Sequence, residues 1–187
     1  MNKIDKIILD HIDVIKKLNE TNSDLICSIA EIIIERLKSG SKLIFMGNGG
    51  SASDAQHLSA EFVGRFLKER QPLAAISLST DTSALTAIGN DYGFDKIFER
   101  QINGLAKKGD IVIGITTSGN SPNVLKAIEA ANSLDCITIG LTGRDGGKLK
   151  DFCNKTIVVP SNVTARIQEA HILIGHILCE IIDTAFD

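Results

Sequence analysis

Residues that stack on nucleic-acid bases are scarce in this sequence. Aromatic residues make up 4% of its 187 residues, with one tyrosine and no tryptophan. The formal net charge of −3 at pH 7 offers no basic surface to a phosphate backbone. Because both stacking platforms and positive charge are lacking, we expect no nucleic-acid partner.

Cysteine pairs with the spacing of metal or redox motifs are also missing. The cysteines lie far apart and form no C-x-x-C sequence; they are Cys27, Cys136, Cys153 and Cys179. This distribution is typical of a reduced protein rather than a disulfide-bonded one. We therefore expect a cytoplasmic protein.

The sequence contains no unbroken apolar stretch long enough to cross a bilayer. Residues 1–13 carry charges where a signal peptide needs an apolar run. The most apolar late segment, residues 167–183, is interrupted by Glu169, His171, His176 and Glu180. We expect neither a signal peptide nor a membrane partner.

Apolar residues with helical spacing occupy the first part of the chain. They recur through residues 4–18 and again through residues 25–37, and Asn22 and Ser23 stand between the two stretches as candidate caps. This pattern predicts a pair of N-terminal helices over residues 1–40. His11 lies on the apolar stripe, so we assign it to packing.

From Lys42 onward, short apolar runs alternate with helical segments. The runs read KLIFM, LAAIS, IVIGI, CITIGL and TIVVP. Strands that are apolar throughout and separated by helices are typical of a parallel sheet covered on both faces. We predict a single α/β domain over residues 1–187, whose core at 41–187 holds five strands in a doubly wound order.

The loop after the first predicted strand is rich in glycine. Ligands of such sheets bind beyond the carboxyl ends of the strands, and residues 47–51, Gly-Asn-Gly-Gly-Ser, can direct backbone N–H groups at an anion. Ser51 and Asp54 have the spacing of a capping box. A turn that binds nothing is the alternative. A dinucleotide site fits the glycine spacing but lacks its acidic residue, and no Walker lysine follows.

The loop after the third predicted strand is rich in hydroxyl groups. It carries Thr116, Thr117, Ser118 and Ser121, with Ser121 as the candidate N-cap and Pro122 as the first helical residue. Hydroxyl and helix N–H groups together suit a phosphate dianion. The alternative is one capping serine among solvated turn residues.

Candidate proton-transfer groups follow the glycine loop on one helix stripe: Asp54, His57, Glu61 and Arg65. The i, i+4 pair of His57 and Glu61 can serve a metal ion, an acid–base pair or a solvated surface. On the last predicted helix, Gln168 and His176 lie about 12 Å apart along the axis. His171 points elsewhere, which indicates core or interface packing.

Taken in order, these motifs closely resemble the bacterial phosphoheptose isomerase family. The resemblance rests on residues 47–51, 54–57, Glu61, 64–65, 89–94, 117–121, 141–143 and 165–169, and it runs over nearly the whole chain. It implies the sugar isomerase (SIS) fold, a flavodoxin-like three-layer sandwich with a five-stranded parallel sheet, preceded here by the two N-terminal helices.

The resemblance also implies an activity and an assembly. Members convert sedoheptulose 7-phosphate to D-glycero-D-manno-heptose 7-phosphate, the first step of heptose precursor synthesis for surface polysaccharide. Such a transfer of the carbonyl from C2 to C1 can proceed through a cis-enediol. A homotetramer with active sites at subunit interfaces is implied, with one zinc ion per subunit, no nucleotide cofactor and oligomer contacts from residues 1–40.

Residue roles carried over from the family fall into three groups. Glu61 is the implied catalytic base and His176 its acid partner. Phosphate and sugar contacts are implied for Asn48, Gly49, Gly50, Ser51, Glu61, Arg65, Asn90, Asp91, Thr116, Thr117, Ser118, Ser121 and Gln168. The implied metal ligands are His57, Glu61, Gln168 and His176. Ala165 departs from the pattern, because some members have an acidic residue there.

Two other interpretations remain open. A non-catalytic SIS-domain regulator of replication initiation shares most of the loop motifs, but such adaptors lack counterparts of Glu61 and His176. A different SIS enzyme, such as an arabinose phosphate isomerase, would use the same loops for another sugar phosphate.

Overall fold

The computed structural model describes residues 2–186, which form a three-layer α/β sandwich. Its strands are β1 (Leu43–Gly47), β2 (Ala75–Ser77), β3 (Ile111–Ile115), β4 (Ile137–Gly143) and β5 (Lys155–Val159). Its helices are α1 (Lys3–Lys38), α2 (Gly50–Val63), α3 (Thr82–Tyr92), α4 (Glu99–Leu105), α5 (Pro122–Ser133), α6 (Leu149–Phe152) and α7 (Thr164–Asp183), with a 3₁₀ turn at Phe94–Lys96.

The sheet is parallel throughout, with the strand order β2-β1-β3-β4-β5. The five strands and the doubly wound order predicted from the sequence are confirmed. The strand order reverses between β1 and β3, which is the switch point where such folds bind ligands. Gly47 pairs with Ile115 at this edge, so the glycine loop and the hydroxyl loop start side by side.

The core consists of two apolar layers, one on each face of the sheet. Along β1, Leu43 and Phe45 pack with α1, α2 and α7, whereas Ile44 and Met46 pack with α4 and α5 on the other face. This alternation follows from the two-residue period of a strand. Since helices cover both faces of the sheet, the residues on both faces of such a strand are apolar, and the strands appear in the sequence as continuous apolar runs.

The N-terminal region is one helix of 36 residues, so the predicted helical pair is wrong. The candidate caps form hydrogen bonds within the helix instead: Ser23 Oγ donates to the Asn19 carbonyl, and Asn22 Nδ2 donates to Thr21 Oγ1. Side chains of this kind are compatible with a helix interior when they bond back to the preceding turn. No glycine or proline interrupts residues 3–38, so nothing breaks α1 there.

His11, which was assigned to packing, is instead half-exposed and forms an ion-pair contact between two helices. Its side chain is 38% exposed, and Nδ1 lies 2.7 Å from Glu169 Oε2 on α7. Arg166 Nε also donates to this carboxylate, and its Nη1 donates to the Ile7 carbonyl. These contacts tie the first turns of α1 to α7.

The predicted capping box at the start of α2 is wrong. The N-cap is Gly49, at φ +56°, and no side chain caps the helix. Because this backbone conformation strongly favours glycine, the turn is set by Gly49 rather than by Ser51 and Asp54.

Within residues 2–186, no helix has the length and apolar character needed to span a membrane.

His171 is fully buried in α7, which confirms its assignment to packing. Its Nε2 lies 3.2 Å from the Thr142 carbonyl, the geometry of a neutral imidazole donating to that oxygen. Burial lowers the pKa of His171 to about 4, and the bond to Thr142 offsets only part of this effect. The folded protein therefore keeps this ring neutral.

We expect His171 to make unfolding easier at mildly acidic pH. Between the ordinary histidine pKa near 6.5 and about 4, the unfolded chain binds a proton that the folded chain does not, so stability falls as pH falls. The loss is up to about 3 kcal/mol. Urea unfolding of the wild type and of His171→Gln, at pH 7 and pH 4.5, measures it. The difference in unfolding free energy between the wild type and His171→Gln should be smaller at pH 4.5 than at pH 7. An equal difference at the two pH values would show that His171 does not cause the loss of stability.

Candidate active site

The two loops meet in a small polar cavity at the carboxyl ends of β1 and β3. The cavity has a volume of about 140 Å³ and is lined by Asn48, Ser51, Ile115, Thr116, Thr117, Ser118, Ser121 and Gln168. All the hydroxyl residues proposed for phosphate are therefore brought together. None of the lining residues carries a charge, so an anion here would be bound by hydroxyl, amide and N–H groups.

The hydroxyl groups of the second loop point at one another rather than capping α5. Ser121 is the N-cap residue, but its side chain forms no capping bond. Its Oγ lies 2.9 Å from Thr116 Oγ1, and Ser118 Oγ lies 3.5 Å from that same atom. A serine that served only as a cap would direct its oxygen at the helix N–H groups. Ser118 Oγ also accepts a hydrogen bond from Asn120 N at 3.2 Å, as a turn residue does, so it is the placement of Thr116 and Ser121 that favours phosphate binding over the turn alternative.

Gly119 holds the hydroxyl loop against the segment that follows β4. It has φ +66°, and a Cβ at this position would lie 2.0 Å from the Gly146 carbonyl oxygen. Leu149 N donates to the Gly119 carbonyl, and Lys148 N donates to Asn120 Oδ1. The shape of the loop therefore depends on a glycine at position 119.

Amide side chains fix the glycine loop. Asn48 and Asn123 exchange two hydrogen bonds of 2.9 and 2.8 Å through their side chains. On the other side, a Cβ at Gly50 would lie 2.5 Å from Gln168 Nε2, so the Gln168 amide packs directly against the backbone of Gly50 and would have to move to admit a side chain there. Asn123 could not be predicted as a site residue, because its partner Asn48 lies 75 residues away and no local pattern links the two.

A second cluster unites the residues expected to transfer protons. His57 Nε2 lies 2.9 Å from His176 Nε2 and 3.3 Å from Glu61 Oε1. The Glu61 side chain is 24% exposed and that of His57 is 48% exposed, so a ligand can reach both. Phe66 stacks on the His176 ring at 5.4 Å between centroids, a contact that the sequence analysis did not anticipate.

This cluster has the chemistry of an acid–base centre and the donor types of a zinc site. Two imidazole nitrogens and one carboxylate are ligands that zinc takes. The two nitrogens stand closer, at 2.9 Å, than the roughly 3.3 Å that a tetrahedral ion imposes. Within residues 2–186, no three His, Cys, Asp or Glu side chains already surround a common metal position. The donors fit zinc by type, and the rings would have to separate to bind it.

Helix α2 connects the cavity to the proton-transfer cluster. Ser51 lines the cavity, and His57 lies about 9 Å further along the axis. Asp54 lies between them, and among the described residues its buried Oδ2 has no hydrogen-bond partner. Burial raises the pKa of Asp54 and nearby His57 partly opposes the rise.

Six of the predicted substrate contacts do not line the cavity: Gly49 and Gly50 in the glycine loop, Glu61 in the proton-transfer cluster, and Arg65, Asn90 and Asp91 on the surface. Asn90 and Asp91 are exposed near the end of α3, where Asn90 Nδ2 donates to Asp91 Oδ1. Arg65 is also exposed, with its Nε 3.6 Å from Glu69. Gln168 lines the cavity, whereas His176 lies beside His57, so Gln168 is apart from the other three predicted ligands and the whole metal site stays a prediction.

Known proteins share both the sequence and the architecture. Residues 9–143 match the model of the SIS domain family. A phosphoheptose isomerase from a Nitratiruptor species is 57% identical over 186 residues, covering 100% of each chain. The solved phosphoheptose isomerase of Neisseria gonorrhoeae is 43% identical with a TM-score of 0.93 and 97% of each chain covered. That of Francisella tularensis is 39% identical with a TM-score of 0.93, covering 98% of this chain and 100% of its own.

Proposed function

Because this chain belongs to the phosphoheptose isomerase family of SIS-domain proteins, we propose that it interconverts sedoheptulose 7-phosphate and D-glycero-D-manno-heptose 7-phosphate. Membership at this level of identity makes it a sugar-phosphate isomerase of heptose synthesis. The specific substrate pair and the enediol route belong to the proposal.

One observation carries the proposal. Helix α2 contributes Ser51 to the uncharged, hydroxyl-lined cavity. About two turns further along, it contributes His57 and Glu61 to the carboxylate–histidine cluster. The cavity suits a terminal phosphate, and the cluster suits proton transfer at the carbonyl end. The separation favours a long, extended sugar over a triose.

The proposed reaction moves one proton between carbons and one between oxygens. The Glu61 carboxylate removes the C1 proton of the ketose while the C2 carbonyl oxygen takes a proton from His176, which gives the cis-enediol. Glu61, whose side chain is 24% exposed and so can exchange its proton with solvent, then delivers a proton to C2, and His176 recovers one from the C1 hydroxyl, which leaves the aldehyde. Each group ends as it began, so no external acid or base is consumed.

Zinc is part of the proposal. His57, Glu61 and His176 would hold the ion, and Gln168 would join them if it turned away from Gly50. The ion would supply Lewis acidity toward the oxygens of the substrate. Glu61 then has to bind through one carboxylate oxygen, so that its other oxygen can accept the carbon-bound proton. The ring nitrogen of His176 that binds zinc has no proton to give, so His176 acts as the acid only while that nitrogen is free of the ion.

The assembly and cellular context complete the proposal. We infer a homotetramer in which the exposed Asn90 and Asp91 reach the active site of a neighbouring subunit. The exposed apolar residues near the start of α1 support such contacts; they are Ile4, Ile7, Ile8, Leu9 and Ile12. A cytoplasmic enzyme of this kind would supply heptose for surface polysaccharide.

Purified protein incubated with sedoheptulose 7-phosphate tests the proposal. We expect conversion to the aldose phosphate, measured by ¹H NMR or by a reducing-sugar assay, and no conversion of unphosphorylated sedoheptulose. Arabinose 5-phosphate serves as the competing substrate, and its preferential turnover would indicate a different SIS enzyme. No turnover of either sugar phosphate would favour the non-catalytic regulator.

Zinc is tested in the same preparation by mass spectrometry of the metal content. We expect about one zinc per chain in the wild type and much less in His57→Ala. Equal zinc in both proteins would remove His57 from the proposed ligand set.

A further inference from the structure

A buried ion pair links the end of α7 to the segment that follows α2. Arg70 Nε donates to Asp183 Oδ1 at 2.6 Å, and the two side chains are 1% and 2% exposed. Neither residue has a place in the proposed proton transfer. A buried pair of this kind is poor evidence for stability, because desolvation offsets much of the attraction.

The two Nη atoms of Arg70 donate to three backbone carbonyls, two of which lie in the last turn of α2. Nη2 donates to the Glu61 carbonyl at 3.0 Å, and Nη1 donates to the Phe62 carbonyl at 3.0 Å and to the Gln71 carbonyl at 3.1 Å. The carbonyls of a last helical turn have no N–H donor within the helix and remain free to accept from other groups. The guanidinium therefore fixes the backbone of Glu61, the proposed base.

Asp183 holds the other side of the same segment. Its Oδ2 accepts hydrogen bonds from Leu67 N at 2.8 Å and Lys68 N at 3.1 Å. The neighbouring residue is Phe66, whose ring stacks on His176 with an interplanar angle of 21°. Burial favours the neutral carboxyl, but the bonds from Arg70, Lys68 and Leu67 outweigh it and lower the pKa of Asp183, so the carboxylate stays charged at neutral pH.

We propose that Arg70 and Asp183 are positioning residues for the isomerase reaction. Arg70 fixes the helix turn that carries Glu61, and Asp183 places Phe66 against the ring of His176. The pair thereby sets the distance between the two groups that exchange protons with the sugar. This inference rests on the proposed function, and the alternative is an anchor that contributes only to stability.

The double variant Arg70→Met/Asp183→Leu separates positioning from stability. Replacement of a buried ion pair by apolar side chains of similar size often leaves a protein stably folded, whereas a small displacement of reacting groups is costly for the rate. We expect a melting temperature close to that of the wild type, KM for sedoheptulose 7-phosphate within about threefold, and kcat reduced about 10- to 100-fold. Wild-type kcat in the folded double variant would overturn the proposal.

Arg70→Lys gives a second test that does not depend on the double variant folding. Lysine keeps a positive charge for Asp183 but lacks the planar fork that reaches three carbonyls at once. We expect kcat to fall about tenfold or more, with little change in KM. Lys42→Met is the matched control, because it breaks the ion pair with Asp110 at the opposite end of the sheet. Equal kcat in Arg70→Lys and Lys42→Met would contradict positioning.

Histidine NMR provides a readout independent of turnover. With ¹³C-labelled histidine, the His176 ring protons should carry a ring-current shift from Phe66, and Phe66→Leu identifies that shift. The Arg70→Met/Asp183→Leu variant should lose it, and an unchanged His176 signal would overturn the proposal. If wild-type protein does not isomerise sedoheptulose 7-phosphate, the proposed function fails, while this signal still reports whether the pair places Phe66.

Discussion

Replacement of Glu61 by glutamine is expected to abolish isomerisation while leaving substrate binding largely intact. Glutamine has nearly the same shape, but its amide cannot accept the C1 proton, and loss of a general base costs about 10²- to 10⁴-fold in rate. The phosphate should still bind in the cavity lined by Thr116, Ser118 and Ser121. Calorimetric titration should give a dissociation constant within a few-fold of the wild-type value, with kcat lowered about 1000-fold.

Glu69→Gln is the matched control for that experiment. Glu69 lies eight residues further along, and its side chain is 90% exposed, so its charge should not matter for turnover. We expect wild-type kcat in this variant. More than a few per cent of residual activity in Glu61→Gln would remove Glu61 from the role of base.

Replacement of Gly119 by alanine is expected to disrupt the phosphate cavity. The new Cβ would lie 2.0 Å from the Gly146 carbonyl oxygen, so backbone has to move, and φ +66° adds strain of about 1 kcal/mol for a residue with a side chain. Displaced hydroxyl groups should weaken binding of the phosphate. We expect kcat/KM to fall about 100-fold or more, mainly through a higher KM.

Gly104→Ala controls for the loss of a glycine. A Cβ at Gly104, in α4, would meet nothing within 4 Å, so its kinetics should match the wild type. Steady-state rates over a range of sedoheptulose 7-phosphate concentrations compare the two variants. An unchanged KM in Gly119→Ala would show that the 116–121 loop does not hold the phosphate.

The fold was largely predictable because its strands and loops have local signatures. Apolar runs separated by helices indicated five parallel strands in a doubly wound order, and the flavodoxin-like arrangement was implied by the family resemblance. The division of α1 was mispredicted because Asn22 and Ser23 resemble caps. Their side chains instead bond within the preceding turn of the helix, a choice that spacing alone does not reveal.

The candidate site was predictable where its residues lie in continuous motifs. The hydroxyl loop gathers around one cavity as expected, and His57 and Glu61 follow from helical spacing. The contacts of Asn123, Phe66 and Arg70 could not be predicted, since their partners lie far away in the sequence. Arg70 and Asp183, for example, are 113 residues apart, and only the packing of α7 beside α2 brings them together.

Proton exchange at C1 during turnover tests the account most directly. Wild-type protein is supplied in ²H₂O with sedoheptulose 7-phosphate, and ¹H NMR follows the ketose C1 protons and the aldose C2 proton. An enediol formed by Glu61 predicts that deuterium from solvent enters these positions while product forms, and that Glu61→Gln stops both processes. Aldose phosphate produced with its carbon-bound protons fully retained in the wild type, or at an undiminished rate in Glu61→Gln, would contradict the account.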